Sequence, residues 1–115
     1  MTQRRGPIGA LFATINRDHF GGRLPAYRVR RVRRVPGTPE GPGCPDGLCR
    51  AATREIFIAH DLNPVDERAV LLHEMCHAAT VGVDQDPHGA AFKAECGRLA
   101  RRGEGPRLWI MAKRK

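Results

Sequence analysis

An α+β domain is what the sequence predicts, and three observations carry the prediction. Strand-like segments cluster between residues 27 and 60, helical periodicity is confined to the segments on either side, and 115 residues suffice for one hydrophobic core but not for two. At 41% hydrophobic and 28% charged residues the composition is that of an ordinary globular chain, which excludes collagen-like, coiled-coil and wholly disordered classes despite 13 Gly and 9 Pro. The expected architecture is a short antiparallel-type sheet packed on one central helix with flanking helices. A single domain is expected over residues 1–115, with a core running from about 7 to 111.

The first helix is expected over residues 7–19, with Pro7 in its first turn and Leu11, Phe12 and Ile15 as its apolar stripe; Gly21 and Gly22 end it. Residues 27–35, bracketed by Pro25 and Pro36, carry valines at 29, 32 and 35, which favours a strand. Because these valines do not alternate, a bulge or an edge position is expected there. Residues 36–48 are the loosest part of the chain, and the run from Cys44 to Cys49 reads as a hairpin turn built on Pro45, Asp46 and Gly47. Residues 55–60 read as a second strand, Ile56 and Ile58 on one face, Phe57 and Ala59 on the other. Turn and cap residues at 61–64 precede a helix over 65–81, whose first turn holds Asp66 and Glu67 where the helix dipole favours acids. A further helix over 88–102 is broken by Gly103, Gly105 and Pro106, after which come a short apolar segment at 108–111 and a basic tail at 112–115.

The formal charge is +8, and 17 of the 20 basic residues are arginine. Arginine's planar fork suits phosphate, so a nucleic-acid partner is one reading; a genome that spells basic residues as arginine is the other. No apolar run approaches the roughly 20 residues a membrane helix needs, and no small-residue cleavage pattern follows the stretch from Ile8 to Ile15. A cytoplasmic monomer with no membrane contact is expected. Its four cysteines then read as reduced thiols or metal ligands, not as a disulfide framework.

Chemistry concentrates in His73-Glu74-Met75-Cys76-His77. Two histidines at i and i+4 share one helix face, so both imidazoles reach a single tetrahedral cation, and Glu74 projects close enough to take a proton from a water that the cation acidifies. From this chain's composition the pattern arises by chance roughly 0.01 times, a rate that matters for a bare pattern match and that context lowers further. Val70, Leu71, Leu72, Met75 and Ala79 mark the segment as a buried helix, where two histidines and a glutamate would otherwise each need a hydrogen-bond partner. That alternative, two structural core histidines, stays beside the metal reading. A third ligand must come from elsewhere: His88 is best placed, after the turn-rich residues 82–87, with Glu95 as runner-up and Asp84, Asp86 and Cys96 as further candidates. Asp84 or Asp86 would otherwise accept the free N–H of a ligand imidazole, or stand as solvated loop acids, a reading with at least equal weight.

Leu11-Phe12, the run from Ile15 to Pro25, Gly43-Cys44, Ile56-Phe57-Ile58 with Leu62, His73 to His77, His88-Gly89 and Phe92-Lys93 together resemble the SprT-like metalloprotease family, in order and over nearly the whole chain. The resemblance implies a small zincin-like fold, one zinc ion per chain held by His73, His77 and His88, and Glu74 as the general base of peptide hydrolysis. It also implies action on DNA-bound or DNA-crosslinked proteins, with single-stranded DNA favoured over duplex. The chain departs from some bacterial members in lacking a second cysteine cluster after the catalytic region.

The protein or peptide substrate is expected to pair with the strand at 55–59, since edge pairing reads backbone and tolerates varied side chains. Tyr27, His60 and several arginines are candidates for stabilising an oxyanion. Arg28, Arg30, Arg31, Arg33 and Arg34 place five guanidiniums in seven residues and are the expected nucleic-acid contacts, fanning outward from an edge strand. The rival class is a non-catalytic zinc-stabilised nucleic-acid-binding module, against which Glu74 argues, because a structural metal site has no use for an acid beside its ligands.

Overall fold

The local signals set where each element begins and ends. In the computed structural model, which describes residues 6–36, 46–86 and 88–104, the order is α1 (Ile8–Phe20), β1 (Arg28–Val32), β2 (Gly47–Arg50), β3 (Glu55–Ala59), α2 (Pro64–Ala79) and α3 (Ala90–Leu99), with a widened turn at Ala100–Glu104. Gly21 ends α1 at φ 60°, the left-handed conformation that glycine adopts without penalty. Asn63 caps α2 by accepting the Asp66 N–H at 2.8 Å, and Pro64 takes the first helical position. The expected segment at 108–111, the basic tail and Cys44 lie outside the described residues.

The α+β class holds, but the sheet is mixed. Its order is β1-β3-β2, with β1 parallel to β3 and β2 antiparallel to it. Two expectations change as a result. Gly47–Cys49, read from sequence as the end of a hairpin turn, belong to a strand, Gly47–Arg50, which a 3-10 turn at Ala51–Thr53 closed by Arg54 joins to β3. And β3, expected to offer an edge to substrate, is the central strand, with both of its flanks already paired.

Register fixes the two faces. Alternation along each strand puts Val29 and Arg31 of β1, Ile56 and Ile58 of β3, and Gly47 and Cys49 of β2 on the face toward the helices. Arg28, Arg30, Phe57, Leu48 and Arg50 share the other face. The core is built from Phe12 and Ile15 of α1, Ile56 and Ile58 of β3, and Leu71, Leu72 and Met75 of α2, closed by Phe92 and Leu99 of α3. From Ala69 to Cys76 every residue of α2 is buried, so this helix is wrapped on all sides, and any polar group it carries there is desolvated.

Arg31 is the first consequence. Expected among the outward arginines, it is turned inward by its register opposite Ile58 and grips buried Glu67 of α2 through two hydrogen bonds of 2.6 and 3.0 Å, while also donating to the Gly6 carbonyl. This pairing ties β1 to α2 and removes Arg31 from the candidate nucleic-acid contacts. No described helix is long and apolar enough to cross a membrane.

Candidate metal centre

His73 and His77 lie one turn apart on α2, and the segment that follows returns the chain so that His88 faces them. Two carboxylates shape that return: Asp84 accepts the Ala91 N–H of α3 at 2.8 Å, and Asp86 accepts the His88 N–H at 2.9 Å. Gly89 permits it, because a Cβ there would meet the Asp84 carboxylate and the Asp86 carbonyl at 3.0 Å. Asp84 and Asp86 thus bond backbone amides of the return and of α3, where an imidazole N–H was the expected partner. Glu95, the runner-up ligand, is engaged by Arg98 at 2.8 Å, and the Cys96 thiol meets that of Cys76 between α2 and α3.

The ligand atoms of His73, His77 and His88 all fall within 4.8 Å of one another. A tetrahedral cation with imidazole nitrogens at 2.0–2.1 Å separates its ligands by about 3.3 Å, and His77 Nε2 lies 3.1 Å from His88 Nε2. Burial, reinforced by the His88 charge, lowers His73 to about 4, and burial with both neighbouring imidazoles lowers His77 to about 3. Both are therefore neutral near pH 7, the form that ligates a metal. His73 Nδ1 is buried without a hydrogen-bond partner, a polar orphan of the kind a site completed by a ligand contains. The donor set and its spacing fit one tetrahedral ion.

Phe92 is the residue that sequence reasoning matched but gave no role. Its ring stacks on His77 at 4.3 Å between centroids and meets His73 and His88 edge-on at 4.9 and 5.0 Å, so one buried aromatic orients all three imidazoles. The available signal was its position four residues after His88, in the first turn of the helix that follows.

Glu74 is 2% exposed and lies against β2. The Asp46 backbone carbonyl accepts the Ala59 N–H at 2.9 Å, so by antiparallel alternation Leu48 and Arg50 bond to β3, while the backbone groups of Gly47 and Cys49 point to the outer side. There the Cys49 N–H donates to the Glu74 carboxylate. Burial pushes the Glu74 carboxyl up to about 8, with the Cys49 N–H pulling it partly back. Gly47 makes the approach possible: a Cβ would stand 2.6 Å from Val70 Cγ1 and 3.1 Å from Glu74 Oε2. Tyr27, a candidate oxyanion donor, bonds instead to the Cys49 thiol, and burial raises both groups to about 12. Sequence reasoning read both Gly47 and Cys49 as turn residues and weighed Cys49 only as a reduced thiol or metal ligand, with no role beside Glu74.

Of the expected nucleic-acid contacts, Arg28, Arg30, Arg33 and Arg34 are exposed and Arg31 is not. Compared with known proteins, the chain is matched by the family model described as SprT-like over residues 8–107. No curated protein and no solved structure matches it significantly. A family match over nearly the whole chain, joined to three imidazoles on α2 and its return, places this protein in the SprT-like family.

Proposed function

We propose that the chain is a zinc-dependent metallopeptidase that hydrolyses peptide bonds. The observation that carries the reading is the convergence of three imidazoles, two of them on the helix that also carries the desolvated Glu74 carboxyl between them in sequence. His73, His77 and His88 would hold the ion, and an ion in such a site supplies Lewis acidity and lowers the pKa of water toward about 7. Glu74, poised near neutrality by its burial, is matched to taking a proton from water and returning it to the leaving amine. The Cys49 N–H fixes where its carboxylate sits. Phe92 and the surrounding core bury His73, while His77 and His88 stay half-exposed. The peptide would lie along β2, the edge strand beside Glu74, with main-chain pairing giving tolerance of side chains.

The finer reading, hydrolysis of proteins bound or crosslinked to DNA, draws on the family resemblance and the arginine excess. The test is zinc content measured beside hydrolysis of a denatured protein. Glu74→Gln should keep about one zinc per chain and lose hydrolysis by a factor on the order of 100 or more. Equal cleavage by that variant, or native protein that binds no zinc, overturns the proposal. Zinc with no hydrolysis in the native protein would instead favour the non-catalytic module.

A further inference from the structure

Two thiols in the core take no part in the metal centre, although they sit on the two helices that build it. Cys76 of α2 and Cys96 of α3 are free and fully buried, and they share a hydrogen bond across the helix interface. Cys76 stands one residue before His77, and its carbonyl accepts the Thr80 hydroxyl at 2.8 Å as α2 ends. Cys96 follows Phe92 by one helical turn, so the face of α3 that presents Phe92 to the imidazoles also presents Cys96 to α2. Gly97 beside it is buried as well, and small residues of this kind let two helices approach closely.

Thiols in hydrogen-bond contact on two packed elements need little more than side-chain rotation to reach disulfide geometry. Cys49, the other thiol among the described residues, is engaged by the Tyr27 hydroxyl on β2. A bond between Cys76 and Cys96 would close a loop that contains His77, the return, His88 and Phe92, which is all of the metal centre beyond His73. Burial sets the condition for forming it. With both thiols at 0% exposure, an oxidant reaches them only when α3 lifts from α2. An ion held by His77 on one side of that interface and His88 on the other opposes the lifting.

We propose that Cys76 and Cys96 are a site of reversible oxidation, forming an intrachain disulfide that clasps α3 to α2 when no ion holds the two helices together. The oxidant is a hydroperoxide. With hydrogen peroxide, one sulfur attacks a peroxide oxygen, the O–O bond breaks, and that cysteine becomes a sulfenic acid while the departing oxygen takes up the thiol proton as water. The second sulfur then attacks the sulfenic sulfur; the S–S bond forms, and hydroxide leaves with the second thiol proton as another water. Two thiols thus lose two electrons and two protons, and the peroxide is reduced to two waters. A dithiol reductant reverses the change by exchange. The gate rests on the metal reading, whereas the bond itself requires neither metal nor hydrolysis.

The test uses the full chain, reduced, then either stripped by chelator or loaded with zinc, treated with hydrogen peroxide and alkylated at intervals. Trypsin leaves Cys76 in residues 69–93, Cys96 in residues 94–98, and both Cys44 and Cys49 in residues 35–50, so non-reducing peptide mass mapping tells the pairings apart. The stripped chain should yield residues 69–93 linked to 94–98. At free zinc about 100 times its dissociation constant, the link should form on the order of 100-fold more slowly, because only the opened arrangement reacts. Oxidation should raise the Tm of the stripped chain by roughly 10 °C, as expected for closing a loop of this length, and leave its uptake of about one zinc intact. Cys96→Ala, with Cys76→Ala as a second variant and circular dichroism as the check on folding, should show neither the link nor the gain in Tm. Sulfinic acid on either cysteine without the link, a link confined to residues 35–50, zinc uptake lost on oxidation, or equal rates with and without bound zinc overturns the proposal. A chain that forms the link but binds no zinc in either state refutes the metallopeptidase reading and leaves the disulfide standing.

Discussion

Replacing Gly47 by alanine probes the contact on which the proposed chemistry most depends. The added Cβ would stand 2.6 Å from Val70 Cγ1, about 1 Å inside an ordinary carbon contact. Val70 is 4% exposed and β-branched, so it cannot swing aside. Overpacking of this kind costs about 1–3 kcal/mol, partly offset by the roughly 0.4–1 kcal/mol that alanine gains over glycine through the unfolded chain. A net loss of about 1–2 kcal/mol should lower Tm by about 4–8 °C for a chain of this size. The readiest relief is for β2 to lift, which carries the Cys49 N–H away from Glu74, so hydrolysis should fall further than stability. Val70→Ala in the same chain opens the space the new methyl needs; the double variant should then be more stable and more active than the sum of the two single changes predicts, by a coupling of about 1 kcal/mol or more. The assays are thermal melts of zinc-loaded protein and initial rates of peptide hydrolysis across the four-member cycle. If Gly47→Ala melts and cleaves like the native chain, or the two changes simply add, β2 does not press on Glu74 and the argument for its placement fails.

Three further outcomes are expected. His73→Ala, His77→Ala and His88→Ala should each lose the metal by elemental analysis, while Glu95→Ala keeps it because Glu95 is held by Arg98; metal loss in Glu95→Ala alone would move the third ligand. Arg31→Met should destabilise by up to about 3 kcal/mol, the low end for a broken buried pair since Arg31 is 23% exposed, and leave the salt slope of oligonucleotide binding unchanged; a flattened slope would return Arg31 to the contact surface. In metal-free protein the raised Glu74 pKa means a stabilising contribution that is complete below about pH 4.5, declines as pH rises and is gone above about 8. The Tm advantage of Glu74→Gln over native protein, measured with chelator, should therefore grow between pH 5 and 8, and a constant difference would refute the burial of that carboxyl.

The helices and the metal centre were legible in the sequence because each rests on short-range spacing. His73 and His77 one turn apart, Asn63-Pro64 before the apolar run, and a turn-rich segment ahead of His88 all encode local geometry. What was not legible depends on a partner strand. Gly47–Arg50 has no β-branched residue to announce it, and its strand character comes from pairing with β3. The valines at 29, 32 and 35 suggested a buried set, yet strict alternation opposite Ile56 and Ile58 buries Val29 and Arg31 instead. A sign of this was present in Glu67, an acid on the core side of α2 in need of a cation. The parallel β1–β3 pairing likewise follows from β2 turning back on the far side of β3, which no local pattern reports.

The way His88 is held bears on how quickly a bound ion would exchange. The two helical imidazoles form a half-site inside the most deeply packed element of the protein, and disturbing them requires unfolding much of the core. The third arm is different: eleven positions beyond His77, it rests on backbone hydrogen bonds to two exposed carboxylates, Asp84 and Asp86. Capture is then a two-stage event, docking on the rigid pair followed by closure of the return, and escape reverses it. The residence time of such an ion would follow the opening frequency of that short tether, on the scale of loop motion and not of global unfolding.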